Sequence, residues 1–354
     1  MPITVYAVDD SAVVRQAMQH LLQGDPDLVL IGTAPNPIIA APALRKQRPD
    51  VLLLDIEMPG MDGLTFLRQL MAEAPIATVI CSTLTEKGSR VALDALAAGA
   101  VAIIAKPRLG LKQFLEDSRR ELLQTLKAAA LSRPRRQTQD VGAAAPMAAS
   151  LVAPRPAAPT RALAVNKPIV LGGSTGATQA FEAILLSLPA DSPGMAVVQH
   201  MPERFTAMYA ERLNAAAAME VREARSGDRL ERGLVLIAPG GRHMQLRKSA
   251  GQYFVEVFDG PNVNRHKPSV DVLFKSAAEC AGGDALAIIL TGMGDDGARG
   301  MRLMHNVGAR TIAQDEASCV VFGMPKVAIE QGGVDSVLPL GQIAQAVLAF
   351  DARH

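Results

Sequence analysis

Short apolar runs alternate with amphipathic stretches along most of this chain. Before residue 128 the runs ITVYAV, LVLIGTA, VLLLD, ATVIC and VAIIA each have the length of a buried strand. Between them, apolar residues recur every three to four positions, as in a helix that packs on a sheet. Five strand–helix units predict a doubly wound parallel sheet. The helices are expected near residues 12–23, 38–47, 64–73, 87–98 and 111–127.

The same alternation returns after residue 166. The runs PIVLGG, GMAVVQH, GLVLIAP, ALAIILTG and ARTIAQ predict further strands. The segment HMQLRKSAGQYFVEVFD at 243–259 interrupts them with two alternating stretches around a glycine, which is typical of a β-hairpin. We therefore expect a second α/β domain, a doubly wound, Rossmann-like parallel sheet with a β-hairpin insertion.

Residues 128–165 separate the two halves. Alanine, proline and arginine dominate this segment, and no amphipathic period survives beyond one turn. Such a composition buries little apolar surface and predicts a flexible linker, with the preceding helix continuing to about Leu131. The expected domains are therefore 1–127 and 166–354.

The composition excludes several classes of protein. With 354 residues, of which 49% are hydrophobic, the chain is long enough for two cores. The 36 basic and 35 acidic side chains leave a formal net charge of +1, so no global field favours nucleic acid or a membrane surface. Aromatic residues make up only 3%, which removes the stacking platforms of single-strand binders, and the second half has no basic recognition helix.

The cysteines and the apolar runs indicate the compartment. Cys81, Cys280 and Cys319 are scattered and show neither a disulfide framework nor metal-ligand spacing, which favours free thiols in a reducing environment. The first residues lack the basic and apolar regions of a signal peptide, and no apolar run approaches the length of a membrane span. We expect a cytoplasmic protein without direct membrane insertion.

Acidic, hydroxyl and amine side chains follow the strands of the first half. In chain order they are Asp9 and Asp10, Asp55, Ser82 and Lys106. The carboxyl ends of parallel strands share one edge of a sheet, where ligands bind. Clustered carboxylates suit Mg²⁺, and a lysine beside them can pair with a phosphoryl oxygen. A lone aspartate would be interpreted as a solvated acid or a helix cap, but the whole set predicts a site for Mg²⁺ and a phosphoryl group.

Four motifs of the first half are VDDS at 8–11, DIEMPGMDG at 55–63, the hydroxyl pair at 82–83 and AKP at 105–107. With them, the first half resembles response-regulator receiver domains, which have a flavodoxin-like fold. The resemblance implies that Asp55 accepts a phosphoryl group from a partner histidine kinase. It also implies that Asp9, Asp10 and Asp55 hold Mg²⁺, with the Glu57 carbonyl as a further ligand.

The same resemblance implies how the phosphoryl group is sensed. Ser82 is expected to follow the phosphoryl group, although the neighbouring Thr83 stays open as the switch hydroxyl. Lys106 is expected to contact the phosphoryl group and to form a cis bond with Pro107. Many receivers carry an aromatic residue where this chain has Ile103, so an aromatic rotamer switch is not expected.

A serine between glycines follows the first strand of the second half, in LGGSTGATQ at 171–179. The G-x-G-x-x-G spacing of a dinucleotide loop is missing, and so is the lysine of a P-loop. Gly172, Ser174 and Gly176 instead match G-x-S-x-G, which allows a sharp strand-to-helix turn that exposes the hydroxyl. By itself such a serine is more often a helix cap than a nucleophile, so it needs a base and a carboxylate.

Histidines and aspartates after other strands are candidate partners for this serine. His200 ends the run GMAVVQH and is favoured as the base, with His243 and His266 as competitors in loops. Asp295 or Asp296, in a glycine-rich turn, is the candidate carboxylate, and the alternative that they cap the next helix stays open. The glycines expose backbone N–H groups, as an oxyanion hole requires. The order serine, histidine, aspartate differs from that of common α/β-hydrolases.

Six motifs extend this pattern, namely GGSTG, VVQHMP, IAPGGRHM, HKPSVDVLF, LTGMGDDG and QDEASCVVFGMP. With them, the second half resembles the catalytic domain of chemotaxis protein-glutamate methylesterases, and the receiver and linker complete that architecture. The resemblance implies that Ser174 is the nucleophile, His200 the general base and Asp296 the carboxylate that orients it. Thr175 and the backbone N–H of Met293 are implied to complete the site.

The resemblance also implies a reaction and its control. Glutamyl methyl esters on the cytoplasmic domains of methyl-accepting chemoreceptors would be hydrolysed and glutamines deamidated, with Mg²⁺ needed only by the receiver. The protein would be recruited to membrane-bound receptor arrays. The unphosphorylated receiver would cover the catalytic mouth, so deletion of residues 1–160 is expected to raise the basal rate.

Two alternatives stay open at this point. One is a receiver-controlled hydrolase of another ester or amide, which a comparison of methylated receptor with small acyl esters distinguishes. The other is a phosphorylation-dependent binding module or phosphate sink with an idle hydrolase domain. A Ser174→Ala variant that still performs the cellular task would favour this second alternative.

Overall fold

The computed structural model describes residues 1–58, 62–82, 85–106, 112–132 and 167–352. Within these residues the chain forms two parallel sheets and a two-stranded hairpin, which confirms the expected α/β class. The strands of the first sheet are β1 (Ile3–Val8), β2 (Leu28–Ala34), β3 (Val51–Asp55), β4 (Ala77–Ser82) and β5 (Ala102–Ala105). They are parallel and lie in the order β2-β1-β3-β4-β5.

Helices alternate with these strands along the chain. They are α1 (Ala12–Leu22), α2 (Pro37–Lys46), α3 (Gly63–Glu73), α4 (Glu86–Ala97) and α5 (Lys112–Leu131). The side chains of Ser11, Asn36, Asp62 and Thr85 cap the first four by accepting a backbone N–H three residues on. Each cap pairs a donor that the first turn of a helix leaves without a helical partner.

The two middle strands of the first sheet fix the position of its polar residues. Every residue of β3 and of β4 is buried, as expected for strands that helices cover on both faces. Asp55 and Ser82 are the last residues of these strands, so the sheet places both at its carboxyl edge. Ile103 is also buried, in the core of this domain.

Helix α5 runs past the predicted domain boundary at residue 127. Ala128, Ala129 and Ser132 at its end are buried, although the intervening Leu131 is exposed. The continuation to Leu131 agrees with the sequence-based expectation. Residues 133–166, which include most of the predicted linker, lie outside the described residues, so the linker stays a prediction.

The second half contains a larger parallel sheet. Its strands and those of the hairpin are β6 (Ile169–Gly173), β7 (Met195–Gln199), β8 (Glu220–Glu223), β9 (Leu234–Ile237), β10 (His243–Ser249), β11 (Gln252–Phe258), β12 (Leu286–Ile289), β13 (Arg310–Gln314) and β14 (Ser336–Leu338). The sheet order is β14-β13-β12-β6-β7-β9-β8, and β10 pairs antiparallel with β11 as predicted. After β6 the chain first forms the strands on one side of it, β7, β8 and β9, and later those on its other side, β12, β13 and β14. The strand order therefore reverses at β6, and ligands bind at such a switch point.

The edge strands β8 and β14 were missed in the sequence. The first reads EVRE and the second has only three residues, so neither carries the apolar run that predicts a buried strand. The helices of this half are α6 (Ala177–Leu186), α7 (Phe205–Ala216), α8 (Val270–Ala281), α9 (Ala298–Asn306), α10 (Met324–Glu330) and α11 (Leu340–Asp351). Among the described residues, no helix has both the length and the apolar character needed to cross a membrane.

The two domains meet through α4. From α6, Gln179 Nε2 donates to Leu96 O over 2.5 Å, and from α7, Arg212 Nη1 donates to Leu93 O over 3.1 Å. Arg212 Nη1 also lies 3.5 Å from Asp94 Oδ1. These contacts bring donors, one of them a cation, to the negative end of the α4 dipole.

A second interdomain contact lies near the end of β6. Val320 packs against the apolar cluster of the first domain that contains Leu126 and Ala129 of α5. Val320 also lies against the turn after β6, because a Cβ added at Gly176 would be 2.4 Å from Val320 Cβ. Val320 therefore contacts the first domain and also the turn that follows β6.

Candidate active site and phosphorylation site

A sharp turn after β6 presents Ser174 at the carboxyl edge of the second sheet. The turn depends on small residues, since a Cβ at Gly172 would lie 2.2 Å from Val270 Cγ1 and Gly176 has a φ of +80°. From the other side, a Cβ at Gly292 would lie 2.8 Å from Ser174 Cβ. Ser174 itself is half-buried, and α6 begins directly behind it.

His200 lies next to Ser174 because β6 and β7 are neighbouring parallel strands. Gly173 pairs with Gln199, so the following residue of each strand leaves the sheet at the same edge. His200 N–H donates to Gly173 O over 3.1 Å, and Gln199 Nε2 donates to Ser174 O over 2.9 Å. These bonds tie together the backbones of the candidate nucleophile and the candidate base.

His200 forms a hydrogen bond with Asp296. Nε2 lies 2.8 Å from Asp296 Oδ2, and the two side chains are only 7% and 1% exposed. An ionised carboxylate only accepts hydrogen bonds, so Nε2 carries the proton and Nδ1 has the free lone pair. His200 Nδ1 is buried and has no hydrogen-bond partner among the described residues. It is therefore the nitrogen available to take a proton.

Five donors from the described part of the chain converge on the Asp296 carboxylate. They are Ser269 Oγ at 2.7 Å, Asn264 Nδ2 at 2.9 Å, the N–H groups of Val270 at 2.7 Å and Asp271 at 3.2 Å, and His200 Nε2. Val270 begins α8, so the carboxylate also lies at the positive end of a helix. Burial acts to raise the pKa of Asp296, but the hydrogen bonds and His200 hold it well below its usual range. Asp296 is therefore ionised.

The structure separates the candidates that the sequence left open. His243 Nε2 donates to a loop carbonyl at 2.9 Å, in the hairpin region. Asp295 pairs with Arg265 over 2.9 Å and is 45% exposed. His266 comes close to the site, with its ring centroid 3.8 Å from that of His200. Of these candidates, His200 has both the carboxylate partner and the position beside the serine.

Two backbone N–H groups of residues that were predicted to complete the site have no acceptor in the described part of the chain. They belong to Thr175 and Met293. Thr291 Oγ1 lies 2.9 Å from Thr175 O and 3.2 Å from Val321 O, so it holds the two turns together. The sequence offered no signal for Thr291, because a buried threonine at a strand end is a common core residue.

The loop before α8 supplies two residues that were not named from the sequence, Asn264 and Ser269, and one, His266, that was named only as a competitor for the base. Asn264 and Ser269 bind Asp296, and His266 stacks on His200. All three lie in or beside the motif HKPSVDVLF. The concentration of polar residues before an amphipathic helix was the available signal for their role.

Asp9, Asp10 and Asp55 meet at the carboxyl edge of the first sheet. One oxygen of each carboxylate lies within 4.8 Å of the others. Lys106 Nζ lies 2.7 Å from Asp55 Oδ2 and 3.1 Å from Asp9 Oδ2. Burial raises the pKa of Asp55 to about 6, although Lys106 opposes this shift. The structure thus gathers the carboxylates and the lysine that were predicted at this edge.

This donor set fits Mg²⁺. The N–H groups of Ser11 and Glu57 bind Asp9 Oδ1 at 2.9 Å and Asp55 Oδ1 at 3.1 Å, while the Oδ2 atoms of both carboxylates are paired with Lys106. Three carboxylates there supply the oxygen ligands that Mg²⁺ prefers. The Glu57 carbonyl as a further ligand stays a prediction.

Ser82 links this site to α4. Its Oγ donates to Gly88 O over 3.2 Å, in the first turn of α4, and the side chain is fully buried. Thr83 and Pro107 lie outside the described residues. The choice between the two hydroxyls and the cis bond after Lys106 therefore stay predictions.

Comparison with known proteins gives matches over both domains. The model of the CheB methylesterase family matches residues 169–347, and that of the response regulator receiver domain matches residues 5–116. Protein-glutamate methylesterase/protein-glutamine glutaminase 1 of Chromobacterium violaceum is 54% identical over 351 residues, which cover 97% of this chain and 98% of that protein. Protein-glutamate methylesterase/protein-glutamine glutaminase 2 of Xanthomonas campestris pv. campestris is 55% identical over 347 residues, with coverages of 96% and 98%.

A solved structure matches the second domain. The crystal structure of the Thermotoga maritima CheB methylesterase catalytic domain is 39% identical in sequence and superposes with a TM-score of 0.51. The match covers 52% of this chain and 97% of that one. Both resemblances inferred from the motifs are thereby confirmed. The chain belongs to the CheB methylesterase family, with a response regulator receiver domain ahead of its catalytic domain.

Proposed function

We propose that this chain is a protein-glutamate methylesterase and protein-glutamine glutaminase that phosphorylation activates. The relatives that match it over nearly its whole length carry these names. The observation that carries the proposal is the position of Ser174, His200 and Asp296 beyond the ends of the adjacent strands β6, β7 and β12. A serine, an imidazole with a free nitrogen and an ionised carboxylate are the groups that acyl transfer through a serine requires.

In the proposed reaction Ser174 Oγ attacks the side-chain carbonyl carbon of a glutamyl methyl ester. His200 Nδ1 takes the serine proton, and Asp296 stabilises the imidazolium through Nε2. Negative charge develops on the carbonyl oxygen, toward which the N–H groups of Thr175 and Met293 are proposed to donate. The carbon–oxygen bond to the methoxy group then breaks, His200 returns the proton to that oxygen, and methanol leaves.

Water completes the proposed cycle. His200 takes a proton from water, the resulting hydroxide attacks the acyl carbon, and Ser174 leaves with the proton that His200 returns. The product is a glutamate side chain. A glutamine follows the same steps with ammonia as the leaving group instead of methanol. Every group in these steps belongs to this chain, to the substrate or to water.

The proposed partners follow from the two domains. The substrates are glutamyl and glutaminyl side chains on the cytoplasmic domains of methyl-accepting chemoreceptors, so the protein would work at membrane-bound receptor arrays. The phosphodonor is a chemotaxis histidine kinase that transfers its phosphoryl group to Asp55. Membership of the CheB family, with its receiver domain, supports both partners.

The interdomain contacts support restraint of the esterase by the unphosphorylated receiver. Val320 lies between the first domain and the turn that carries Ser174. Gln179 and Arg212 bind the end of α4, and Gln179 belongs to α6, the helix that follows the turn with Ser174. A receptor segment that approaches Ser174 would therefore compete for space with the docked receiver.

The receiver site supports a way to release this restraint. Asp9, Asp10 and Asp55 would hold Mg²⁺, which when bound would offset the charge of the phosphoryl oxygens. Lys106 is already paired with Asp55 and would contact the phosphoryl group. Movement of the Ser82 hydroxyl toward that group would break its bond to Gly88 O and free the start of α4, the helix that contacts the esterase.

Peptide mass spectrometry of a methyl-esterified chemoreceptor tests this proposal. With the full-length protein, Mg²⁺ and acetyl phosphate, esterified glutamates and specific glutamines should both become glutamate. Ser174→Ala should leave both unchanged, while His305→Gln, which alters a half-exposed histidine paired with Asp335, should convert them at the wild-type rate. Conversion by Ser174→Ala would contradict the proposal, and hydrolysis of small esters alone would favour a different substrate.

A further inference from the structure

The imidazole of His266 lies flat on that of His200. The ring centroids are 3.8 Å apart and the ring planes differ by 10°. The centroid distance is shorter than the range of about 4.5–7 Å that aromatic pairs usually adopt, so the two rings are in direct face-to-face contact. Asp296 binds the His200 ring in its plane through Nε2, and His266 covers one of its faces. The two contacts together restrict both tilting and rotation of the ring.

A strained turn places His266 in this position. Val263 and His266 exchange backbone hydrogen bonds of 3.1 Å and 2.9 Å. The two residues between them, Asn264 and Arg265, have φ values of 48° and 72°. Two consecutive left-handed residues are typical of a type I′ turn, which suits asparagine but is costly for arginine. Such strain persists only where the surrounding contacts hold the backbone in place.

The contacts that hold this turn belong to the esterase site. Asn264 Nδ2 donates to Asp296 Oδ1 over 2.9 Å and also to Asp271. Arg265 pairs with Asp295, next to the carboxylate that orients His200. The turn is therefore anchored on the same aspartate that binds His200, and it places His266 relative to that histidine.

His266 is neutral in this position. Burial lowers the pKa of His266 to about 3, and repulsion by His200 acts in the same direction. His200 becomes positively charged when it takes the serine proton. A second cation with its ring centre 3.8 Å away would oppose that step, so a neutral ring is the form compatible with the reaction.

We propose that His266 is a positioning residue of the esterase, which holds the His200 ring so that Nε2 stays on Asp296 while Nδ1 remains available to Ser174. His266 acts through His200 and takes no part in bond making. A flat ring at this position is sufficient for the role, whereas a side chain without a ring is not. The inference rests on the proposed role of His200 as the general base.

Labelling of Ser174 by a fluorophosphonate probe tests this role without a receptor. The serine oxygen bonds to phosphorus, fluoride leaves, and His200 takes the serine proton, so the labelling rate reports how well the base is aligned. With the full chain, Mg²⁺ and acetyl phosphate, His266→Ala should lower the maximal labelling rate by about 10- to 100-fold, with half-saturating probe concentration unchanged. His266→Phe should restore most of that rate, and His266→Gln should not.

A spectroscopic measurement separates positioning from a merely structural role. The low-field proton resonance of the His200–Asp296 hydrogen bond should be sharp in the wild type and in His266→Phe. The resonance should broaden in His266→Ala and His266→Gln, because in these variants no ring packs against the face of the His200 imidazole. His305→Ala is the matched control, since its ring pairs with Asp335 outside this site, and it should change neither measurement.

Three outcomes would overturn the inference. His266→Ala that labels at the wild-type rate would show that the stack is dispensable. An equal loss in His266→Phe and His266→Ala would show that a flat ring is not the relevant property. Absence of labelling in the wild type would contradict the proposed function, on which the inference rests. This outcome is distinguishable from the other two because it is seen in the wild type, without any His266 variant.

Discussion

Replacing Arg212 by alanine should raise the esterase rate of the unphosphorylated protein by about tenfold. Arg212 Nη1 donates to Leu93 O over 3.1 Å and lies 3.5 Å from Asp94 Oδ1, both in α4. A hydrogen bond from a charged donor contributes about 1.5–3 kcal/mol, and an exposed ion pair less than about 1 kcal/mol. The arginine side chain is 29% exposed, so we take the lower end of the first range. Arg212→Ala should therefore weaken docking of the receiver on the esterase by about 1.5 kcal/mol. That corresponds to about a tenfold larger fraction of undocked protein.

The assay is methanol release from a methyl-esterified chemoreceptor without a phosphodonor. Arg212→Ala should release methanol faster than the wild type, and the increase should persist when Asp55 is also replaced by alanine, because undocking by this route needs no phosphorylation. With acetyl phosphate and Mg²⁺ the rates of Arg212→Ala and wild type should converge. Arg247→Ala is the matched control, since that arginine pairs with Glu256 in the hairpin and should leave the rate unchanged.

An unchanged basal rate in Arg212→Ala would refute the reasoning, provided that acetyl phosphate still stimulates the wild type. It would show that the contact with α4 does not restrain the esterase. A loss of activity in the phosphorylated variant would have a different meaning, because it would place Arg212 in the esterase machinery. The phosphorylated rate is therefore measured on the same preparation.

Other changes have expected outcomes of different kinds. Asp296→Asn should lower kcat for methanol release by about three to four orders of magnitude, because an amide does not hold the histidine in the same tautomer. The pKa of Asp296 is lower in the folded protein than its value of about 3.9 in the unfolded chain, so the ionised carboxylate stabilises the fold. This contribution to the free energy of unfolding is fully present above about pH 3.9 and is lost as pH falls through the lower folded pKa. The difference in unfolding free energy between wild type and Asp296→Asn should thus not decline from about pH 7 to about pH 5 and should shrink below about pH 3.9, and a decline already above about pH 5 would contradict the shift. Gly292→Ala should lower both the thermal midpoint and kcat, since its Cβ would lie 2.8 Å from Ser174 Cβ, whereas Gly341→Ala meets nothing within 4 Å and should lower neither. Chelation of Mg²⁺ by EDTA should abolish stimulation by acetyl phosphate without changing the basal rate, and loss of the basal rate as well would indicate a metal in the esterase site.

The placement of the candidate site residues was predictable because both domains are parallel sheets. In such a sheet the carboxyl ends of all strands share one edge, so residues far apart in sequence meet there when each follows an apolar run. Asp55 at the end of β3 and Ser174 after β6 were singled out for this reason, and the structure places both at those edges. His200 follows from the same rule, since β7 is the direct neighbour of β6.

The residue pattern by itself did not choose between neighbouring residues, and only the resemblance to the family implied Asp296 rather than Asp295. Asp295 and Asp296 have the same local surroundings in the chain, and only the fold shows that the donors of α8 and its preceding loop converge on Asp296. The stack of His266 on His200 depends on a turn in the loop before α8. Such a turn has no repeating pattern of apolar residues from which it could be predicted. The interdomain bonds of Arg212 likewise join residues more than a hundred positions apart, without a pattern in either helix that marks them.

The most direct test of the proposed function is methanol release from a methyl-esterified receptor, with and without acetyl phosphate, for wild type, Ser174→Ala and Asp55→Ala. Wild type should release methanol at a basal rate that acetyl phosphate increases, Asp55→Ala should retain the basal rate without the increase, and Ser174→Ala should release none. Release by Ser174→Ala would contradict the esterase mechanism. Stimulation of Asp55→Ala equal to that of the wild type would contradict control through the receiver.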